Sequence, residues 1–311
     1  MALIDILNQV NCGSSNVNGT SIDYCKFDLN RVTTLALIQR RYAFQDGDIE
    51  TLAGVQELQQ LGKAIILQGV RSQADNTAED NIKTYDGSGE KSVISKYPYE
   101  WTFTFENGLA WHTAVQFVNS NKQYDLVMWD DKNTCFVSTS KNGGVYGLST
   151  IMVNVNKYMS GAGTDSSTNS ITIQADRSQF DNYIRGIVSE NLDYTADLDL
   201  DGYKDIEITL TAPADAATSV NFTVKTTLDN HLVAISGLAE TDFLFTVDGG
   251  TVAISALAEG VTAGSYTATV PALSTGEVLT LQTFASVLNS TIINVDDVLF
   301  KSNVATTIVT A

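Results

Sequence analysis

The chain has 311 residues, 43% of them apolar and 17% charged, which is globular composition and argues against a disordered or membrane-embedded chain. Thirty-six acidic residues stand against 18 basic ones, a net charge of −18, and such a surface repels a phosphate backbone rather than gripping it. The length suits two domains of ~100–200 residues each, and no run of ~18 apolar residues is present to span a bilayer.

The first segment, Met1 to Val10, has no basic residue and carries Asp5 within its apolar run, which argues against a secretory signal. Residues 8–20, with Cys12-Gly-Ser-Ser-Asn-Val-Asn-Gly-Thr20, read as an extended arm, and the whole stretch 1–25 is expected to be one. Ile49, Leu52, Val55, Leu58 and Leu61 predict a helix, with Asp46 or Asp48 at its start and Gly62 at its end. Ala64 to Leu67 predicts a buried strand.

Residues 72–96 are polar and without period, a segment unusual inside a compact domain unless it is mobile or ordered against something else. Trp101, Phe103 and Phe105 alternate with Thr102 and Thr104, the pattern of a half-buried strand. Leu109 to Val118 predicts a second helix with Trp111, Ala114, Val115 and Val118 on one side. Strands are expected at 126–129, 135–138, 150–155 and 170–174, giving a mostly antiparallel α+β domain over 1–195 with flanking helices.

The composition then changes. Residues 1–190 carry 15 basic and 21 acidic side chains, whereas 191–311 carry 3 and 15 and no tryptophan. The second stretch, 196–311, reads as an all-β domain, with runs at Ile206/Ile208/Leu210, Val220/Phe222/Val224, Phe243/Phe245/Val247, Val252/Ile254, Tyr266/Ala268/Val270, Val278/Leu279/Leu281 and Ile308. The fold class expected for the whole chain is therefore mainly β.

The search for chemistry yields little. Cys12, Cys25 and Cys135 are too scattered for a disulfide framework, although Cys12 and Cys25 could pair across a short loop. The two histidines, His112 and His231, read as structural or solvated. Gly147-Leu-Ser149 lacks the closing glycine of a nucleophile elbow, and Gly87-Ser-Gly89-Glu90-Lys91 has a glutamate where a phosphate loop needs glycine. Gly161-Ala-Gly163 precedes a strand instead of a helix. Asp130-Asp131 and Asp296-Asp297 are adjacent acids that, on strands, point to opposite faces, which suits no glycosidase pair. No enzyme is expected.

One segment fits a metal site. Asp197, Asp199, Asp201 and Asp205, with the carbonyl of Tyr203 and the turn at Gly202, match an Asp-x-Asp-x-Asp-Gly-x-x-Asp calcium loop. The twelfth position is Ile208 in place of the bidentate glutamate of an EF-hand. The same letters also read as a strand over 192–201 with an acidic outer face, so Ca2+ and an acidic strand both stand.

Leu238-Ala-Glu-Thr-Asp242-Phe243 and Gly264-Ser-Tyr266-Thr-Ala-Thr-Val270-Pro resemble the Ig-like repeats of bacterial and phage surface proteins. That resemblance implies an Ig-like sandwich over about the last third of the chain and no activity. The layout as a whole resembles phage virion proteins of the tail-tube class, in which arm and loop join neighbouring subunits into stacked rings. It implies self-association into rings or tubes, contact with other virion proteins, transient passage of DNA without specific binding, no membrane, and assembly in a host cytoplasm. The alternatives are a head-decoration, neck or fibre protein, or a calcium-stabilised bacterial surface adhesin or carbohydrate-binding protein.

Overall fold

The computed structural model describes residues 3, 30–84, 91–140, 143–161, 166–226 and 233–311. Two units result, Met1–Gln59 with Lys63–Leu200 and Gln60–Gly62 with Asp201–Ala311. The fold is mixed α+β with strand dominant, in several sheets, one of them curled into a half-barrel. No helix among the described residues is long and apolar enough to cross a membrane.

The first unit is organised by β1, Val32–Gln39, a strand covered on both faces. Ala36 and Ile38 enter one apolar core, while Val32, Leu35 and Leu37 enter a second on the opposite side. Such a strand shows no alternation of apolar and polar residues, because neither face meets water. β1 pairs antiparallel with β2, Ala64–Gln68, and with β8, Tyr124–Asp130. β8 is likewise shared, with Val127 and Trp129 in the first core and Leu126 and Met128 in the second.

The first core is closed by helix α1, Leu52–Gln60, through Val55 and Leu58. The hydroxyl of Thr51 caps it by accepting from Gly54 N at 3.0 Å. Asp46 and Asp48 do other work: Asp46 accepts from Leu3 N at 2.7 Å, and Asp48 accepts from Gln45 N at 2.8 Å and from the Tyr42 hydroxyl at 3.0 Å. The helix ends as expected at Gly62, whose φ of +68° turns the chain into β2.

The second core lies inside the curled sheet. From β8 the order runs β11 (Leu148–Val155), β12 (Asn169–Ala175), β6 (Tyr99–Phe105) and β3 (Val70–Asp75), with antiparallel pairings throughout. Trp101, Phe103 and Phe105 point into that core with Ile171 and Ile173, as the alternation requires. The opposite face of these strands carries Thr102, Thr104, Ser170, Thr172 and Asn154, with Thr102 and Thr172 hydroxyls 2.9 Å apart. Helix α2, Leu109–Val115, is shorter than the sequence suggests, and Gln116–Val118 continues it as a tight 3-10 turn. Ala114 is exposed; Val115 and Val118 are buried.

The second unit holds a six-stranded sheet and a four-stranded sheet around one core. The six-stranded sheet runs β18 (Ala256–Glu259), β19 (Ser265–Thr269), β15 (Ser219–Thr226), β14 (Lys204–Leu210), β22 (Val298–Ser302), β21 (Ile292–Val295). β14 and β22 are parallel. The four-stranded sheet runs β17 (Gly250–Val252), β16 (Phe243–Val247), β20 (Val278–Thr283), β23 (Ala305–Ile308). Tyr266 ties the two resemblance-bearing segments together: its hydroxyl donates to Ile235 O at 2.8 Å and accepts from Leu238 N at 3.4 Å. Gly264, at φ +73°, has no room for a side chain, since a Cβ would lie 2.6 Å from Val224 O.

Candidate assembly surface

A polar segment of 25 residues can leave the body of a domain only if its backbone hydrogen bonds are met elsewhere. Residues 72–96 meet them in two ways. Ser72 to Asp75 belong to β3 and pair with β6. Beyond them, β4, Asn81–Thr84, and β5, Lys91–Ser95, pair with each other and form a separate two-stranded sheet. The expected aperiodic loop is therefore a hairpin, whose tip at 85–90 lies outside the described residues.

This hairpin is apolar where it is most open. Ile82, Val93 and Ile94 are 55%, 53% and 64% exposed. An isolated two-stranded hairpin is marginally stable in water and normally packs a face on something. Among the described residues no third strand joins this sheet, and it presents branched aliphatic side chains as well, the combination that natural edges usually suppress with charge, bulges or proline.

A second open apolar stretch lies on α2. Residues 107–121 hold no acidic residue, lysine or arginine, and Leu109 and Phe117 are exposed while Trp111 packs on Phe105 at 4.9 Å between ring centroids. His112 in the same helix shares a 2.8 Å contact with the Gln116 amide through Nε2 and lies 5.7 Å from the Tyr158 ring. Its environment is that of a packed side chain.

The five residues of the expected calcium loop do not lie on one continuous loop or strand. Asp197 and Asp199 lie on α4, a single turn at Ala196–Asp199, whose backbone Thr195 N donates to Asp199 Oδ2 at 2.7 Å. Asp201 and Tyr203 precede β14, and Asp205 is on it. The Tyr203 ring receives the Lys301 ammonium at 5.4 Å. Among the described residues, no group of three or more His, Cys, Asp or Glu side chains could hold a metal ion.

The alternative strand over 192–201 also gives way to a different conformation. Tyr194, Ala196 and Leu200 are drawn into the first core. The Tyr194 hydroxyl donates to Ile49 O at 2.8 Å, and the Asn133 side chain donates to Tyr194 O at 2.7 Å and accepts from Ala196 N at 2.8 Å. Those bonds replace the ladder a strand would need, leaving the aspartates exposed.

The other candidates resolve individually. Asp296 and Asp297 sit at φ +51° and +62° in the tight turn between β21 and β22, the geometry of a type I′ hairpin and not of a strand. Asp130 is buried, accepting from Lys132 N, Thr134 N and the Asn30 amide at 3.0, 2.8 and 3.0 Å, and it holds a turn together. Burial, with Glu50 and Asp130 nearby, pushes the Cys135 thiol well above its ordinary value and keeps it protonated. Cys12, Cys25, His231 and the segments Gly87–Glu90 and Ala162–Gly163 lie outside the described residues, as does the arm 1–25 except Leu3, which is buried.

Neither a scan of protein-family models nor a search of curated proteins gives a match to this chain.

Proposed function

We propose that the chain is a structural protein of a virion, a tail-tube subunit that joins copies of itself into stacked rings. The observation that carries the reading is the β4–β5 hairpin. It exposes Ile82, Val93 and Ile94 with no partner strand beyond itself among the described residues. Burying three such side chains at ~1.5–3 kcal/mol each favours a covered state over the open one. A contact between a projecting hairpin and a different surface of the next copy is heterologous, and heterologous contacts form rings where the rotation between copies closes.

The curled sheet suits the same role. One face of β11, β12, β6 and β3 is core, and the other carries hydroxyl and amide groups with Glu100 as its acidic member, paired to the Gln174 amide. Such a face would let DNA pass without holding it. In this reading the lining is polar and nearly neutral. The second unit, with two sheets around one core and the Leu238–Phe243 and Gly264–Val270 segments meeting at Tyr266, is read as an Ig-like sandwich displayed on the outside.

The test is a chain bearing Ile82→Ser, Val93→Ser and Ile94→Ser, followed by sedimentation velocity beside the wild type. Because these side chains are already exposed, the Tm should hold while the multimers disappear. Multimers of unchanged size would show that the hairpin is not the connector.

A further inference from the structure

We infer that Arg177 is a latch that fixes the direction in which the β4–β5 hairpin leaves the first unit. Among the described residues the hairpin strands pair with each other and with no further strand, which makes the root, residues 76–80 and 96–98, the place where their orientation is set. On the outgoing side, Asn76 and Thr77 are held to β6: Asn76 N donates to Glu100 O at 2.8 Å, and Thr77 Oγ1 accepts from Glu100 N at 3.0 Å. Past Thr77 the fastening changes character. Asp80, the residue just before β4, accepts a hydrogen bond from Arg177 Nη1.

Arg177 opens α3, Arg177–Tyr183, and its guanidinium gathers several elements at one point. Its Nε lies 3.5 Å from Asp181 Oδ2, and its plane lies 5.4 Å from the centre of the Tyr99 ring. Tyr99 in turn donates its hydroxyl to Asp181 Oδ1 at 2.8 Å and packs against Phe180 at 4.9 Å between centroids. The Arg fork offers several donors in a fixed plane, which a lysine does not.

The base that carries the latch is itself fixed. Asp176 caps α3 by accepting from Ser178 N at 2.9 Å, and Gln179 Oε1 accepts from Ser149 N at 2.5 Å on β11. The bridging pair is also sheltered. The Arg177 and Asp80 side chains are 23% and 21% exposed, against 66% and 42% for the Arg71–Glu106 pair. Partial shelter weakens screening by salt, so this contact resists ions better than an open one.

Apolar packing does not do the same job. Beside the Arg177 bridge lies an open cleft of about 400 Å³ lined by Lys96, Pro98, Ile151 and Ser178 together with Arg177 itself. The hairpin is thus held beside a gap by a polar bridge, and breaking the bridge leaves it room to swing. The inference concerns the pose of a single copy and bears on assembly through the function proposed above.

The test uses double electron–electron resonance on the full chain with Cys12→Ser and Cys25→Ser, and spin labels at Lys91→Cys and Ala53→Cys. Buried Cys135 stays. Measured at a concentration where sedimentation shows single copies, the parent is expected to give a narrow distance distribution. Arg177→Met and Asp80→Ala should each broaden and shift it, and the two together should do no more than either alone. Asp80→Ala breaks the contact from the hairpin side, so the question is answered even where Arg177→Met disturbs α3. A parent distribution already broad, or one unchanged in both variants, overturns the latch.

Discussion

Gly147, ahead of β11, sits where a Cβ would lie 2.8 Å from the Asp125 Cβ. Real Cβ atoms do not approach so closely, so Gly147→Ala must push β8 and β11 apart and should cost about 1–3 kcal/mol in chemical denaturation. The same crowding gives Gly147 a role in sheet packing. Asp125 beside it is buried, with Oδ2 accepting from Arg41 N at 2.7 Å. Burial raises its carboxyl above the ordinary range, opposed by the Arg41 N–H, the Ser149 hydroxyl and the guanidinium groups of Arg40 and Arg41. With the folded value above the unfolded one of about 4, this group contributes stability at low pH and loses it as pH rises through the folded value. Relative to Asp125→Asn, the wild type should gain stability as pH falls from neutral toward the unfolded value. Urea midpoints across that range decide it, and a constant difference between the two proteins would show that the carboxyl is solvated.

At the scale of elements, alternation marked the strand with one wet face and short apolar runs marked the buried strands β2 and β8, whereas β1 gave neither signal. Trp101, Phe103 and Phe105 alternate with threonines because the far side of β6 faces out, and the strand forms where the letters place it. β1 carries Thr33, Thr34, Leu35, Ala36 and Leu37 in a row, all buried, and offers no period to read. Being common to both cores, it should be costly to alter: Leu35→Ala is expected to remove about 2–5 kcal/mol by the loss of buried contacts and the cavity left behind. A loss below 1 kcal/mol would place Leu35 at a site able to collapse. Helix α3 was hidden for another reason, since its seven residues are mostly polar and its stop and start are set by the Asp176 cap and the turn into β13, Ile184–Ile187. The β21–β22 pair was obscured because Asp296-Asp297 read as acids and not as the left-handed corner of a hairpin. The hairpin β4–β5 was visible only as an anomaly, a long polar segment, and its pairing depends on a register that polar residues specify weakly.

Over the whole molecule, the acidic excess and the open hairpin pull in opposite directions. A net charge of −18 sets copies against one another, whereas Ile82, Val93 and Ile94 gain by being covered. Screening of the charge at physiological salt shortens the repulsion to ~8 Å, so the proposed hairpin contact would have to outweigh it only at close range. Of the surface proposed for assembly, only the segment 72–96 was legible in the sequence; which few apolar residues it leaves exposed, Ile82, Val93 and Ile94, was not. The residues of the expected calcium loop fall on a helical turn, a short connection and a strand, a placement that their spacing in the sequence did not foretell. Negative-stain electron microscopy of the purified full chain, at physiological ionic strength over a rising concentration series, tests the proposed assembly most directly. Rings or stacked tubes of uniform diameter are expected, and particles that remain single copies at the highest concentration would contradict it.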